Sequence, residues 1–223
     1  MRCSHKVRYS RSRAVLAGLL SPCTAFLNAT AASSFSDIFS QDIFGIMGLC
    51  FDLASTVFVE TAVKTNSTIG QTFLTNVFKQ NPNEPNLFTI LLGRSYDNDG
   101  PQEGAFTIGE YVTGFEDVAK QPKLFRTPAQ TNLSAEEPRW SVQMDSMTVN
   151  GKQFSFKPSS VPEAEPGKQV VVLDSGFTYS QLPPDAVTFI YSSIPGAVQN
   201  ETTGGWVVPC DGTTSLSFEF GWV

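Results

Sequence analysis

The sequence predicts a mainly β protein. Of its 223 residues, 41% are hydrophobic, and the 18 Phe residues, together with many Val and Thr, favour strands. Seventeen Gly and 14 Pro interrupt the apolar runs at short intervals, as turns between strands do. We therefore expect many short strands joined by turns, with few helices.

Residues 1–31 have the pattern of a targeting segment. Bases are concentrated in residues 2–13, before the first acid at Asp37, and a largely apolar stretch follows from Ala14 to Leu27. Ala29-Thr30-Ala31 fits the small residues of a cleavage site. We predict a secretory signal; a transit peptide and a mispredicted gene start are the alternatives.

The next part of the chain predicts a buried run, a helix and two strands. Residues 42–52 are apolar and contain two glycines, so we expect this run to be buried with its backbone close to its neighbours. Apolar side chains recur at helical spacing over 71–80, where Asn81-Pro82 ends the pattern. Residues 87–93 and 105–108 have the pattern of strands.

A hairpin is predicted around Asn150-Gly151. Residues 140–149 alternate apolar and polar side chains with one slip, and Asn-Gly is the strongest short hairpin signal before 152–156. Further along, Pro183-Pro184 can start a helix that Pro195-Gly196 ends. Strands are predicted at 206–208 and 216–220.

Charge and histidine content exclude several classes of function. The net charge is −6, and without residues 1–13 the remaining 10 bases face 21 acids, which argues against nucleic-acid binding. His5 is the only histidine and lies in the predicted signal, which excludes Ser-His and Cys-His catalysis in the rest of the chain. We expect no metal, no cofactor and no membrane span outside the leader.

The candidate catalytic residue is Asp174. Residues 170–173 predict a buried strand, and Ser175-Gly176 after it allows a tight turn that would hold Asp174 at a strand end. Chemistry at such a site is best served by two carboxylates that share one proton. The sequence holds no second Asp-Ser-Gly or Asp-Thr-Gly.

Sequons and cysteines are compatible with a secreted glycoprotein. The candidate glycosylation sites outside the leader are Asn66, Asn132 and Asn200. Cys50 and Cys210 lie clear of the leader, and their pairing cannot be deduced from the sequence.

Several motifs in order carry a family resemblance. They are Gly45-Ile46-Met47-Gly48-Leu49, Phe106-Thr107-Ile108-Gly109, Asp145-Ser146-Met147-Thr148-Val149-Asn150-Gly151, Asp174-Ser175-Gly176, Ile194-Pro195-Gly196 and Val208-Pro209-Cys210. In this order and spacing, residues 26–220 resemble the second half of a pepsin-like aspartic endopeptidase of the fungal secreted type. The resemblance implies a bilobal β fold, with a remnant of the N-terminal lobe at 32–85 and a C-terminal lobe at 86–223 that is truncated at its end.

The resemblance also implies roles for the residues of the turn. Asp174 matches the second catalytic carboxylate, Ser175 the hydroxyl that links two active-site turns, and Gly176 the small residue that lets them approach. Phe177 and Thr178 match substrate-binding positions, although the family usually has Thr or Ser where Phe177 stands. Cys210 would pair with a cysteine absent from this chain.

The implied activity is hydrolysis of peptide bonds by an Asp-activated water. Since only the second catalytic Asp is present, we expect the chain as given to be inactive and its missing lobe or pairing strands to come from a longer chain. The expected partner is a peptide or protein substrate, and the expected location is secreted or extracellular, with the vacuole as an alternative. A non-catalytic peptide- or protein-binding homologue is the other interpretation, and a homodimer with two Asp174 carboxylates is a third.

Overall fold

The computed structural model describes residues 9–16, 19–27, 43, 45–93, 103–127, 138–177, 179–211 and 213–221; of residues 9–16 and 19–24 it describes the backbone alone. The chain divides into two compact units, Met1–Gln121 and Pro122–Val223. No helix in the described ranges is long and apolar enough to cross a membrane. The boundary between the two units, after Gln121, lies later in the chain than the lobe boundary predicted between residues 85 and 86. The predicted lobe boundary stays a prediction.

In the residues that the structure describes, the first unit contains four strands and two α-helices. The strands are β1 (Tyr9–Leu16), β2 (Leu19–Leu27), β3 (Phe88–Leu91) and β4 (Ala105–Ile108), and the helices are α1 (Thr56–Thr65) and α2 (Phe73–Gln80). Short 3-10 turns occupy Asp52–Ala54 and Glu116–Lys120. β1 pairs antiparallel with β2, and β3 with β4. The β1–β2 pair lies in the predicted leader, whose targeting role stays a prediction.

The core of the first unit forms where α2 packs on β3 and β4. Four buried side chains define it, and four half-buried ones surround it: Phe73, Leu74, Val77 and Ile108, then Leu49, Phe78, Phe88 and Phe106. Because three of the buried residues lie on one face of α2, the helical periodicity of residues 71–80 correctly predicted both the helix and its buried side.

The described part of the second unit contains seven strands and one helix. They are β5 (Ser141–Met144), β6 (Ser146–Val149), β7 (Lys152–Phe154), β8 (Gln169–Val172), α3 (Pro184–Ser192), β9 (Val198–Gln199), β10 (Trp206–Val207) and β11 (Leu216–Glu219). β6 lies between β7 and β11, β5 pairs with β8, and β9 pairs with β10, all antiparallel. The prediction of a mainly β protein is confirmed.

Asn150-Gly151 forms the predicted hairpin between β6 and β7. Both residues have positive φ, 49° and 76°, as the tight turn between two twisted strands requires. The slip in the alternation falls at Asp145, between β5 and β6, where Asp145 N donates to Glu219 O at 2.8 Å. Beneath the hairpin, Met147 and Val149 are fully buried with Ala186 of α3, and Phe154 and Phe189 pack beside them.

Two predicted buried runs are exposed over part of their length, although Leu49 packs against the core of the first unit and Val170 and Val171 are half-buried. In residues 42–52, Ile46 is 77% exposed and Met47 is 47% exposed, and a Cβ placed on Gly45 or Gly48 would meet no atom within 4 Å. In residues 170–173, Val172 and Leu173 are also exposed. Both predictions were wrong at these exposed side chains, because an apolar run is buried only where another layer covers it, and the described residues place no such layer over them.

Candidate active site

The strand that leads to Asp174 is held by β5. The register places Val172 opposite Ser141, and Leu173 N donates to Trp140 O at 2.8 Å, which extends the pairing by one residue. Asp174 therefore follows the last paired position directly, at the strand end predicted from the sequence. The anchoring carbonyl of Trp140 was not predicted, because strand pairing between distant residues leaves no local signal.

The main chain fixes one oxygen of the Asp174 carboxylate. Gly176 N donates to Asp174 Oδ1 at 2.9 Å, which closes a short turn through Ser175. All three residues are exposed, and no hydrogen bond from the described residues reaches Oδ2. The carboxylate is thus oriented by its own turn and keeps one oxygen open to solvent.

Gly176 leaves just enough room for this arrangement. A Cβ at this position would lie 3.3 Å from Asp174 Oδ1, a closer approach than most side chains make. A larger residue would therefore push against the oxygen that the turn holds in place. The geometry of the turn itself therefore explains why a small residue, as predicted, occupies this position.

Exposed apolar side chains precede and follow the Asp174 turn in the sequence. Leu173 is 60% exposed, Phe177 is 55% exposed and Tyr179 is 79% exposed. Apolar surface beside an open charged group is typical of a binding site for a partly apolar ligand. Of the two predicted substrate-binding residues, Phe177 lies on this surface and Thr178 lies outside the described residues.

A second carboxylate cluster in this unit serves another purpose. Lys168 Nζ lies 3.0 Å from Asp145 Oδ1 and 2.8 Å from Glu165 Oε2. The hydrogen bond that Lys168 donates to Glu165, followed by the one that it donates to Asp145, raises the pKa of Lys168. Because a lysine bridges these two carboxylates and offsets one of their two charges, they tie a loop to the β5–β6 junction and are unsuited to sharing a proton.

The other predicted residues lie on exposed surface. Asn66 ends α1, Asn200 lies in the turn between β9 and β10, and Cys210 is an exposed free thiol; Asn132 is outside the described residues. In the described ranges, no group of three or more His, Cys, Asp or Glu side chains could hold a metal ion. The predicted pairing of Cys210 stays a prediction.

Comparison with known proteins decides the family. The family model described as "Eukaryotic aspartyl protease" matches residues 9–222. This chain belongs to the eukaryotic aspartyl protease family. The matched part of the aspartyl protease sequence includes β1, β2 and the Asp174 turn.

Fungal proteins are among the relatives of this aspartyl protease chain. It is 29% identical over 184 residues to aspartic protease pepA of Arthroderma otae, 81% of this chain and 41% of the relative. It is 28% identical over 186 residues to aspartic endopeptidase PEP1 of Trichophyton verrucosum, 81% of this chain and 40% of the relative. With aspartic-type endopeptidase ctsD of Aspergillus fumigatus it shares 25% identity over 132 residues, 58% of this chain and 24% of the relative.

The aspartyl protease chain spans less than half the length of these three relatives. The identification confirms the resemblance found in the sequence.

Proposed function

We propose that this chain supplies one of the two catalytic carboxylates of an aspartic endopeptidase, and that this carboxylate is Asp174. The observation that carries the proposal is the exposed Asp174 turn, held at the end of β8 by the hydrogen bond from Gly176 N, in a chain of the aspartyl protease family. The substrate class is a peptide or an unfolded protein.

The proposed reaction needs one ionised and one protonated carboxylate. The ionised group takes a proton from water while the water oxygen bonds to the carbonyl carbon of the peptide. The protonated group gives its proton to the carbonyl oxygen as negative charge develops there, which completes a tetrahedral diol. The first group then passes the proton that it took from water to the nitrogen, the C–N bond breaks and the amine leaves, and the carbonyl re-forms as a carboxylic acid while the second group takes back a proton from a diol hydroxyl.

Asp174 is suited to one of these roles. The Gly176 hydrogen bond fixes Oδ1, so Oδ2 is free to bind the water. The exposed Leu173, Phe177 and Tyr179 offer apolar contacts for substrate side chains. The second carboxylate is proposed to come from another Asp turn, because the 223 residues contain this motif once.

The proposal is tested with two proteins and one substitution. The complete transcript is read beyond both ends of this coding region, and its product and the 223-residue chain are each assayed on unfolded protein at acidic pH, with and without Asp174→Asn. We expect cleavage by the complete product, loss of that cleavage in its D174N variant, and no Asp174-dependent cleavage by the 223-residue chain.

Asp211→Asn is the matched control, since Asp211 is also exposed and acidic but is not part of the turn. We expect its cleavage rate to equal that of the wild type. Equal cleavage by the complete product and its D174N variant would refute the role of Asp174. Asp174-dependent cleavage by the 223-residue chain alone would show that two copies supply the pair.

A binding function is the second candidate, and the exposed apolar residues beside Asp174 favour it. Here the turn would hold a peptide without hydrolysing it. The distinguishing measurement is equilibrium binding of an unfolded polypeptide to the 223-residue chain, compared with its Phe177→Ser variant. Binding that depends on Phe177 without any cleavage by the complete product would favour this function over hydrolysis.

Secretion is proposed from residues 1–31, whose bases, apolar stretch and small residues have the order of a secretory signal. The extracellular space is the proposed destination, and the vacuole is the alternative. Fractionation of cells that express the complete product distinguishes the two.

A further inference from the structure

We propose that Asn66 and Asn200 are acceptor sites for N-linked glycans. This goes beyond peptide hydrolysis and depends on the proposed function only in that the chain enters the secretory pathway. Each residue begins an Asn-X-Thr sequence without proline in the middle, Asn66-Ser67-Thr68 and Asn200-Glu201-Thr202. The structural argument concerns the side-chain nitrogen, Nδ2, to which the sugar would be attached.

Asn66 presents its side chain at the end of α1. It has left-handed backbone geometry with φ 47°, and its N–H donates to Ala62 O at 2.9 Å. Residues 66–68 are all exposed. The carboxamide of Asn66 makes no hydrogen bond with the described residues. Its exposed nitrogen is therefore accessible for attachment of a glycan.

Asn200 presents its side chain in the turn from β9 to β10. Its main chain is held by two hydrogen bonds of 2.8 Å, one to Gly205 O and one from Gly204 N. Its Oδ1 accepts from Thr202 N at 2.9 Å and from Thr203 N at 3.1 Å. Nδ2 makes no hydrogen bond with the described residues, so replacing one of its hydrogens by a sugar would leave the turn intact.

Three of the other described asparagines show the opposite arrangement, whereas Asn83 and Asn86, which begin no sequon, are exposed. Nδ2 donates to a main-chain carbonyl in Asn76, Asn81 and Asn150, at 2.9, 2.7 and 2.9 Å. None of these three begins a sequon. The two described sequon asparagines are thus exposed and keep the reactive nitrogen free, whereas these three commit it to the fold.

The modification is a glycosyl transfer to an amide. The donor class is an oligosaccharide linked through diphosphate to a membrane lipid. A bond forms between Nδ2 and the anomeric carbon of the first sugar, the bond from that carbon to the diphosphate oxygen breaks, and the lipid diphosphate leaves. The proton lost from Nδ2 passes to a base of the transferase.

The test uses the 223-residue chain, produced in yeast behind a host secretory signal. Peptide N-glycosidase in ¹⁸O-labelled water converts each glycosylated Asn into labelled Asp, which mass spectrometry of the peptides locates. We expect label at Asn66 and at Asn200. Thr68→Ala should abolish the first label and Thr202→Ala the second.

Neighbouring hydroxyl residues provide the matched controls. Ser67→Ala and Thr203→Ala remove a hydroxyl one position away from the required one, so both labels should persist. Absence of label in the wild-type chain, or its persistence in T68A or T202A, would overturn the proposal for the site concerned.

Failure of this proposal and failure of the proposed function are distinguishable. Asp174→Asn should abolish cleavage by the complete product and leave both labels unchanged, since glycosyl transfer does not use Asp174. Label on the chain produced behind the host signal, with none on the chain produced behind its own residues 1–31 alone, would reject those residues as a secretory signal and keep the two sites. Cleavage of substrate by a complete product that carries no label would reject the two glycan sites and leave the proposed function standing.

Discussion

Asn150 connects three parts of the second unit. Its Nδ2 donates to Ser193 O, just after α3, at 2.9 Å, and its Oδ1 accepts from Ser215 N, just before β11, at 3.0 Å. Its main-chain N–H also donates to Ser215 O at 2.9 Å. A residue that the sequence marks only as a turn former therefore also joins the hairpin to the helix and to the neighbouring strand.

Substitutions at Asn150 separate backbone geometry from hydrogen bonding. Asn150→Gly loses both side-chain bonds but tolerates positive φ, so we expect the free energy of unfolding to fall by about 1–2 kcal/mol. Asn150→Ala adds the cost of a left-handed backbone, about 1 kcal/mol more. Urea unfolding measures both, with Asn83→Ala, an exposed position, as the control. Equal losses in the free energy of unfolding of the two variants would show that the left-handed backbone at residue 150 adds no cost.

Gly70 marks a close approach in the first unit. A Cβ there would lie 2.9 Å from Thr61 Cβ, Thr61 Oγ1 and Val57 O of α1. Since Thr61 is buried, we expect Gly70→Ala to lower the free energy of unfolding by about 1–3 kcal/mol.

Gly48→Ala is the control for Gly70→Ala, because its Cβ would meet nothing within 4 Å. Its effect on urea unfolding should stay within about 0.5 kcal/mol. A Gly70→Ala protein as stable as the wild type would mean that α1 can move away from residue 70 without cost.

The helices differ in how well the sequence predicts them. α2 has a clear apolar face, and its prediction from residues 71–80 was confirmed. α1 was not predicted, because its Val and Thr residues favour strands and its apolar positions give no single stripe. The signals for it were at its ends: Ser55 Oγ accepts from Phe58 N at 3.4 Å, and Asn66 ends the helix in left-handed geometry.

Asp52 anchors the start of α2 from a distant part of the chain. Its Oδ1 accepts from Thr72 N at 2.7 Å and from Thr72 Oγ1 at 2.9 Å, and its Oδ2 accepts from Gln71 Nε2 at 3.2 Å. Asp52→Ala leaves these donors without their acceptor, and we expect a loss of about 2 kcal/mol in the free energy of unfolding.

Asp117→Ala is the comparison for Asp52→Ala in chemical denaturation. Asp117 is 84% exposed in its ion pair with Lys120, so the change should cost no more than about 0.5 kcal/mol. Similar losses in the two variants would mean that the contacts of Asp52 contribute no more than a surface pair.

Asp185 gives α3 a pH-dependent start. The hydrogen bond from Lys157 Nζ, at 2.9 Å, is the main cause that lowers the pKa of Asp185. A lowered folded pKa contributes stability that is present above the unfolded pKa and is lost as pH falls through the folded one. We therefore expect Asp185→Asn to be less stable than the wild type at neutral pH and equally stable below about pH 3.

Thermal unfolding across this pH range measures the effect, and Asp211→Asn is the control because Asp211 is exposed and lies outside α3. A difference between D185N and wild type that is constant with pH would contradict the role of the charge.

The turn after β8 shows what the sequence can and cannot predict about the site. The position of Asp174 at a strand end and the small residue at Gly176 follow from local patterns, and both agree with the structure. The exposure of Leu173 and Phe177 could not be predicted from local patterns, because it depends on which layers cover the strand end.

Each of the two units has its own hydrophobic core. The first is built on α2 with β3 and β4, and the second on β6 with α3. Since each of these cores lies inside one unit, we expect destabilisation to remain local. Hydrogen exchange should show faster opening of α1 and α2 amides in Gly70→Ala, and of β6 and β7 amides in Asn150→Ala. Loss of protection throughout the chain in either variant would show that the units unfold together.

The division into units also determines which optical signal reports on which half. The three tryptophans, Trp140, Trp206 and Trp222, all lie in the second unit. Trp206 stacks on Tyr191 at 5.6 Å between ring centroids, and Trp140 contributes the carbonyl that holds the strand before Asp174. Indole emission therefore follows the unit that carries the carboxylate, whereas the far-ultraviolet dichroism of helices reports on both units, through α1 and α2 in the first and α3 in the second.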